Sequence, residues 1–171
     1  WSMLSALLMP SSDFGTYLTL GSMRAMVAHD YMLPDVRLTA TDIVRGLGGQ
    51  DGFAQAHAIR EYVQQHTEFL RDPDMVEMLH APVWQLRQIR QRGLVQVDCD
   101  DVAMLAAALG KAVGLRARFV AVAFHNTGAP YRHVWAELSP RAVNAWVDVD
   151  TTRPAQGLDG LRISRVITKD V

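Results

Sequence analysis

The spacing of apolar residues changes partway along the chain. From Asp51 to about Phe69, the residues Phe53, Ala54, Ala58, Ile59, Tyr62 and Val63 recur at helical intervals with charges between them, which predicts a helix with one buried stripe. Upstream, 21–32 and 34–46 carry the same signal, the second opened by Pro34 in its first turn and closed near Gly46. Asp72-Pro73-Asp74 interrupts the period, and 82–92 restores it through Val83, Leu86 and Ile89. A further helix is predicted after Asp98, where Val102, Leu105, Ala106, Leu109 and Val113 run at offsets of three and four up to Gly114.

Beyond Gly114 the period shortens. Phe119 to Phe124 is a short apolar run, Trp146 to Asp150 alternates, and 131–138 and 162–168 read as two more strands. Helices first and strands second predict an α+β fold with helices packed on a mostly antiparallel sheet. Residues 1–50 are expected to form an N-terminal helical extension and 51–171 the main domain, the two making one compact unit.

Composition removes several function classes. The 171 residues carry 17 Lys and Arg against 18 Asp and Glu, so no basic surface for nucleic acid is expected. The apolar run from Trp1 to Met9 is too short for a membrane span and lacks the basic start of a signal peptide, which predicts a soluble protein with no membrane partner. Its compartment stays open. Gly46-Leu47-Gly48-Gly49 has no Lys-Ser/Thr after it and is read as a helix stop, not a phosphate loop.

The single cysteine, Cys99, cannot form an internal disulfide and is either a buried filler or a reactive group. It stands in the first turn of its helix, where unpaired N–H groups and the helix dipole favour a thiolate. Asp98 suits the N-cap, and Asp101 can accept a backbone bond in the manner of a capping box. The acids Asp98, Asp100, Asp101 and Asp148 lack the spacing of a calcium loop, so no metal site and no cofactor are expected.

Of the six histidines, His133 lies within an apparent strand, whereas His29, His57, His66, His80 and His125 show no partner pattern. A hairpin pairing Ser139 with Asn144 puts His133 opposite Asp150, with Cβ atoms roughly 4.5–5.5 Å apart and within reach of a hydrogen bond. The rival register puts His133 opposite Asp148, but its tight turn would centre on Pro140-Arg141, which lacks the positive φ angles such a turn favours. Trp135 and Trp146 share the strand faces of His133 and Asp150 and are candidates to wall a substrate channel, with hairpin packing as the alternative.

Asp98-Cys99-Asp100-Asp101, then Gly114 to Val120, His133-Val134-Trp135-Ala136-Glu137 and Trp146 to Thr152 together resemble the transglutaminase-like cysteine enzymes of papain-like fold. The likeness covers about 50–155, and Phe69 to Pro73 with Glu77 is similar to short prokaryotic and phage-encoded members. Val97 and Thr151 stand where the family usually has Gly and Pro. The resemblance implies a triad with Cys99 as nucleophile, His133 as base and Asp150 as orienting acid. The implied chemistry is acyl transfer on amide bonds through a thioester, foremost hydrolysis of a peptide or isopeptide bond, with transamidation and deamidation as variants. The implied partner is a protein or peptide substrate, cell-wall peptide among them. The alternative is an inert transglutaminase-like assembly module, for example in a phage particle, with the N-terminal segment as its partner surface.

Overall fold

The apolar run after Cys99 becomes a helix in which every residue from Asp100 to Gly110 is buried. Such a helix needs cover on all sides, and the rest of the chain supplies it. The computed structural model describes all residues except 1–3, 8–12, 48, 50, 74–76, 126–127 and 153–159. In chain order the elements are β1 (Leu4–Leu7), α1 (Asp13–Asp30), α2 (Pro34–Ile43), α3 (Gly52–His66), β2 (Thr67–Phe69), β3 (Glu77–His80) and α4 (Pro82–Arg92). There follow β4 (Val95–Val97), α5 (Cys99–Ala112), β5 (Arg116–Phe124), β6 (His133–Ser139), β7 (Val147–Val149) and β8 (Ile163–Asp170).

Helices α1 to α4 pack on α5, and the sheet covers its remaining side through β5 and β6. Leu20, Met23 and Val27 of α1 and Val36 and Ala40 of α2 enter the same core as Ile59, Leu105 and Leu109. That sheet has the order β7-β6-β5-β8 with every pairing antiparallel. Alternation along its strands sends Ala117, Phe119, Val134, Ala136 and Leu138 to the helical core, and Val120, Val122, Phe124 and Trp135 to a second cluster. The expected α+β architecture, with the cysteine opening a buried helix, is therefore the one observed.

Two glycines end helices in the left-handed region. Gly93 closes α4 at φ 84°. Gly114, at φ 89°, closes α5 in a Schellman arrangement, with Leu115 N–H donating to Gly110 O and Gly114 N–H to Lys111 O. Asp98 caps the other end of α5 by accepting from the N–H groups of Asp100 and Asp101.

Three expectations need correction. The helix expected to reach Phe69 stops at His66, because Thr67–Phe69 leaves it to pair in parallel with Val95–Val97. A helix signal also began at 21, whereas α1 starts at Asp13, and Phe14, Tyr17 and Leu18 on that added stretch are exposed and so gave no inward stripe. Finally, β6 and β7 pair Glu137 with Asp148 and Leu138 with Val147, two residues away from the favoured register and four from its rival. The connection is wider than a tight turn because Arg116 bridges Ser139 Oγ and Val143 O across it. Glu137 and Asp148 thus face each other as like charges, and each is answered from outside, Glu137 by Arg118 at 2.6 Å and Asp148 by Arg60 at 3.2 Å.

Candidate active site

A register shift of two preserves which face each side chain occupies, so His133 and Asp150 still meet, diagonally rather than directly across. His133 Nε2 lies 3.0 Å from both carboxylate oxygens of Asp150, and both side chains are almost wholly buried. Asp150 can reach because β7 ends at Val149, which frees the next residue to turn toward His133. Asp148, the rival, points instead at Arg60 on α3.

The early end of β7 has a second effect. Pairing with β6 covers only Ala136 to Leu138, so the outward N–H of Val134, one step past that edge, is left for another acceptor. It donates to the sulfur of Cys99. The first turn of α5 is thereby fixed against the residue adjacent to His133.

Electrostatics at the sulfur are unfavourable to a resting thiolate. Burial pushes the Cys99 thiol well above its usual range, and the Asp100 and Asp98 carboxylates add to the rise. The Val134 N–H opposes them, and the thiol itself points at Asp100 Oδ1, 3.5 Å away. The helix start was expected to favour the anion, but flanking charge and burial outweigh the dipole here. Asp98, Cys99 and Asp100 hold one ligand atom each within 4.8 Å of one another, yet capping by Asp98 and the thiol bond to Asp100 account for this donor set. We assign no metal to it.

Trp135 stands beside His133, the two ring centroids 5.7 Å apart. Trp146 is at the other end of the strand. Its ring lies under Arg118 at 4.1 Å and Arg116 at 4.9 Å, and these are partners of Glu137 and Ser139 in the sheet. Four and six residues of strand, roughly 13 and 20 Å, separate Glu137 and Ser139 from His133. The structure therefore brings Cys99, His133, Asp150 and Trp135 to one region and leaves Trp146 outside it.

One cluster was missed from sequence. Asp101, fully buried, makes no capping box; its Oδ1 accepts the backbone N–H of His80 at 2.6 Å and its Oδ2 faces His80 Nδ1 at 2.6 Å. Gln85 donates to both His80 O and Asp101 O, and Trp84 stacks on the His80 ring at 4.4 Å. Burial pushes the Asp101 carboxyl up to about 6, while the bond to Asp101 raises His80. Twenty-one residues separate the partners, and no local pattern links them.

A cysteine heading a buried helix, set against a strand whose histidine pairs with a carboxylate just past the neighbouring strand, defines a papain-like arrangement. Residues 39–151 match the sequence model of the transglutaminase-like superfamily, and the chain belongs to that superfamily. A candidate cysteine protease from Cytophaga hutchinsonii shares the fold at TM-score 0.50 and 17% identity, over 80% of this chain and 47% of that one. The chain thus spans about half the length of that neighbour. No curated protein matches the sequence. Among the described residues, no helix is long and apolar enough to cross a membrane.

Proposed function

We propose that the chain is a cysteine-dependent hydrolase of peptide or isopeptide bonds, working through a thioester on Cys99. The observation that carries this reading is the buried pair of His133 and Asp150, with the N–H of Val134, next to His133 on β6, touching the Cys99 sulfur. Because Nε2 faces Asp150, the base acts through Nδ1, in the tautomer that Asp150 holds. Nδ1 takes the thiol proton as sulfur attacks the amide carbonyl, and the backbone N–H of Cys99 at the helix start is the donor to the oxyanion. The proton then passes to the departing amine as the C–N bond breaks. Water, deprotonated by the same nitrogen, cleaves the thioester and releases the acid. An amine in place of water would give transamidation.

The raised thiol favours attack with concerted proton removal over a preformed thiolate–imidazolium pair. It is also the observation that favours a second reading, an inert assembly module, for instance in a phage particle, in which Cys99 only packs. Acylation by p-nitrophenyl acetate, followed by intact mass and p-nitrophenol release, separates the two. Hydrolysis predicts an acetyl adduct on Cys99 that turns over in the parent protein and is lost in Cys99→Ser and His133→Ala. Equal labelling of the parent protein and His133→Ala, without turnover, would establish the inert reading.

A further inference from the structure

The first turn of α5 carries two groups with opposite duties. Cys99 looks toward β6, while Asp101, two residues on, is held by a different part of the chain. His80 is the last residue of β3, and it bonds Asp101 twice, through its backbone N–H and through its ring. Gln85 ties the carbonyls of the same two residues from α4. Asp30, at the end of α1, accepts from Val83 N–H at 2.9 Å and anchors the start of α4. The start of α5 is thus fastened through side chains to β3, α4 and, by way of α4, α1.

We propose that His80 and Asp101 form a positioning clamp for the nucleophile, holding the first turn of α5 where the Cys99 sulfur meets the Val134 N–H, next to His133 in the strand. The inference rests on the reading of Cys99 as nucleophile. A carboxylate buried as completely as Asp101 is costly unless it is paired and hydrogen-bonded, and a helix in need only of a cap already has one in Asp98. The charged groups acting on the clamp are few. His80 and Asp72 act on Asp101, and Asp101 and Asp72 act on His80. Asp72 is itself bonded to the N–H of Met78, on the strand that delivers His80. Asp101 is not among the carboxylates pressing on the Cys99 thiol, which are Asp100 and Asp98, so its influence on the sulfur is geometric. Both residues are positioning residues, since neither touches the reacting atoms.

The test is the rate and pH profile of Cys99 alkylation by iodoacetamide in the parent protein, His80→Phe, His80→Asn and His133→Ala, with folding checked by circular dichroism. His80→Phe keeps a ring on Trp84 and loses the donor; His80→Asn keeps a donor near the place of Nδ1. The clamp predicts that His80→Phe changes the neutral-pH rate by at least about tenfold, as a displacement near 1 Å would, and that His80→Asn returns it to within about threefold. It also predicts an inflection near pH 6 in the parent profile that moves to higher pH in His80→Asn, where Asp101 stays buried but loses the ring that holds its carboxyl down, a movement that a purely structural role would not produce. Should His80→Phe not fold, the His80→Asn profile decides alone. A rate that responds to His133→Ala but not to either His80 variant overturns the clamp and leaves the nucleophile reading intact. A rate that responds to no variant overturns both.

Discussion

Gly110 sets how closely α5 approaches β6. A Cβ added there would sit 2.4 Å from Leu138 Cδ2, 3.1 Å from Cδ1 and 3.3 Å from Cγ. Carbon atoms in good contact stand about 3.5–4.0 Å apart, so the overlap exceeds about 1 Å. Leu138 is fully buried between helix and strand and has little room to turn aside. Overpacking of this kind costs about 1–3 kcal/mol, and the severity of the overlap points to the upper end. Alanine regains about 1 kcal/mol of helix propensity over glycine. The expected net loss for Gly110→Ala is about 2 kcal/mol, a fall in Tm of about 4–8 °C for a chain of this size. Urea denaturation of Gly110→Ala, Leu138→Ala and the double variant checks the origin. Leu138→Ala alone should cost about 2–5 kcal/mol. The double variant should be better than the sum of the two by about 2 kcal/mol, because the new methyl enters the space Leu138 vacates. Additivity within about 0.5 kcal/mol, or a stabilising Gly110→Ala, would refute the argument.

Removing the carboxylate in Asp150→Ala leaves buried His133 Nε2 without that acceptor and should cost about 1–3 kcal/mol, read from urea midpoints. Asp148→Ala breaks only a half-exposed pair with Arg60 and should cost under about 1 kcal/mol; equal losses would contradict the assignment of the buried role. The His80–Asp101 pair makes stability depend on pH with a definite sign. Both groups titrate higher in the fold than in the unfolded chain, so the folded protein holds their protons more tightly. Their contribution is complete near the ordinary carboxyl range and is lost as pH rises through about 6 and past the usual histidine range. For Asp101 the change amounts to about 3 kcal/mol. The stability advantage of the parent protein over Asp101→Asn should therefore shrink as pH rises from the ordinary carboxyl range through about 6 and past the usual histidine range, and an advantage that grows would reverse the sign.

Local signals in the sequence were read correctly where the physics is local. The Asp98 cap, the all-apolar interior of α5 and its Gly114 stop each depend on neighbours within a turn or two, and all three stand as expected. The strand face of His133 was legible as well, because alternation survives a register error of an even number of residues. The register itself was not legible. It is set by Arg116, a distant residue holding the loop open, and not by the loop's own turn preferences. Segment Thr67–Phe69 continued a helical pattern and became a strand only because Val95–Val97 offered a partner. The His80–Asp101 clamp escaped for the same reason, since a buried acid next to a helix cap looks like a second cap until the strand that claims it is in place.

The pairing of Cys99 with His133 is tested most directly by the pH dependence of Cys99 alkylation in the parent protein and in His133→Ala, read by intact mass on folded protein. With a buried thiol that needs a base, the parent protein should react at neutral pH. In His133→Ala the neutral-pH rate should fall by at least about tenfold, with reaction recovering only in the alkaline range where the raised thiol ionises unaided. Identical profiles in the two proteins, or a Cys99 that stays unmodified until the protein unfolds, would contradict an activated pair and leave a transglutaminase-like fold that performs no chemistry at this cysteine.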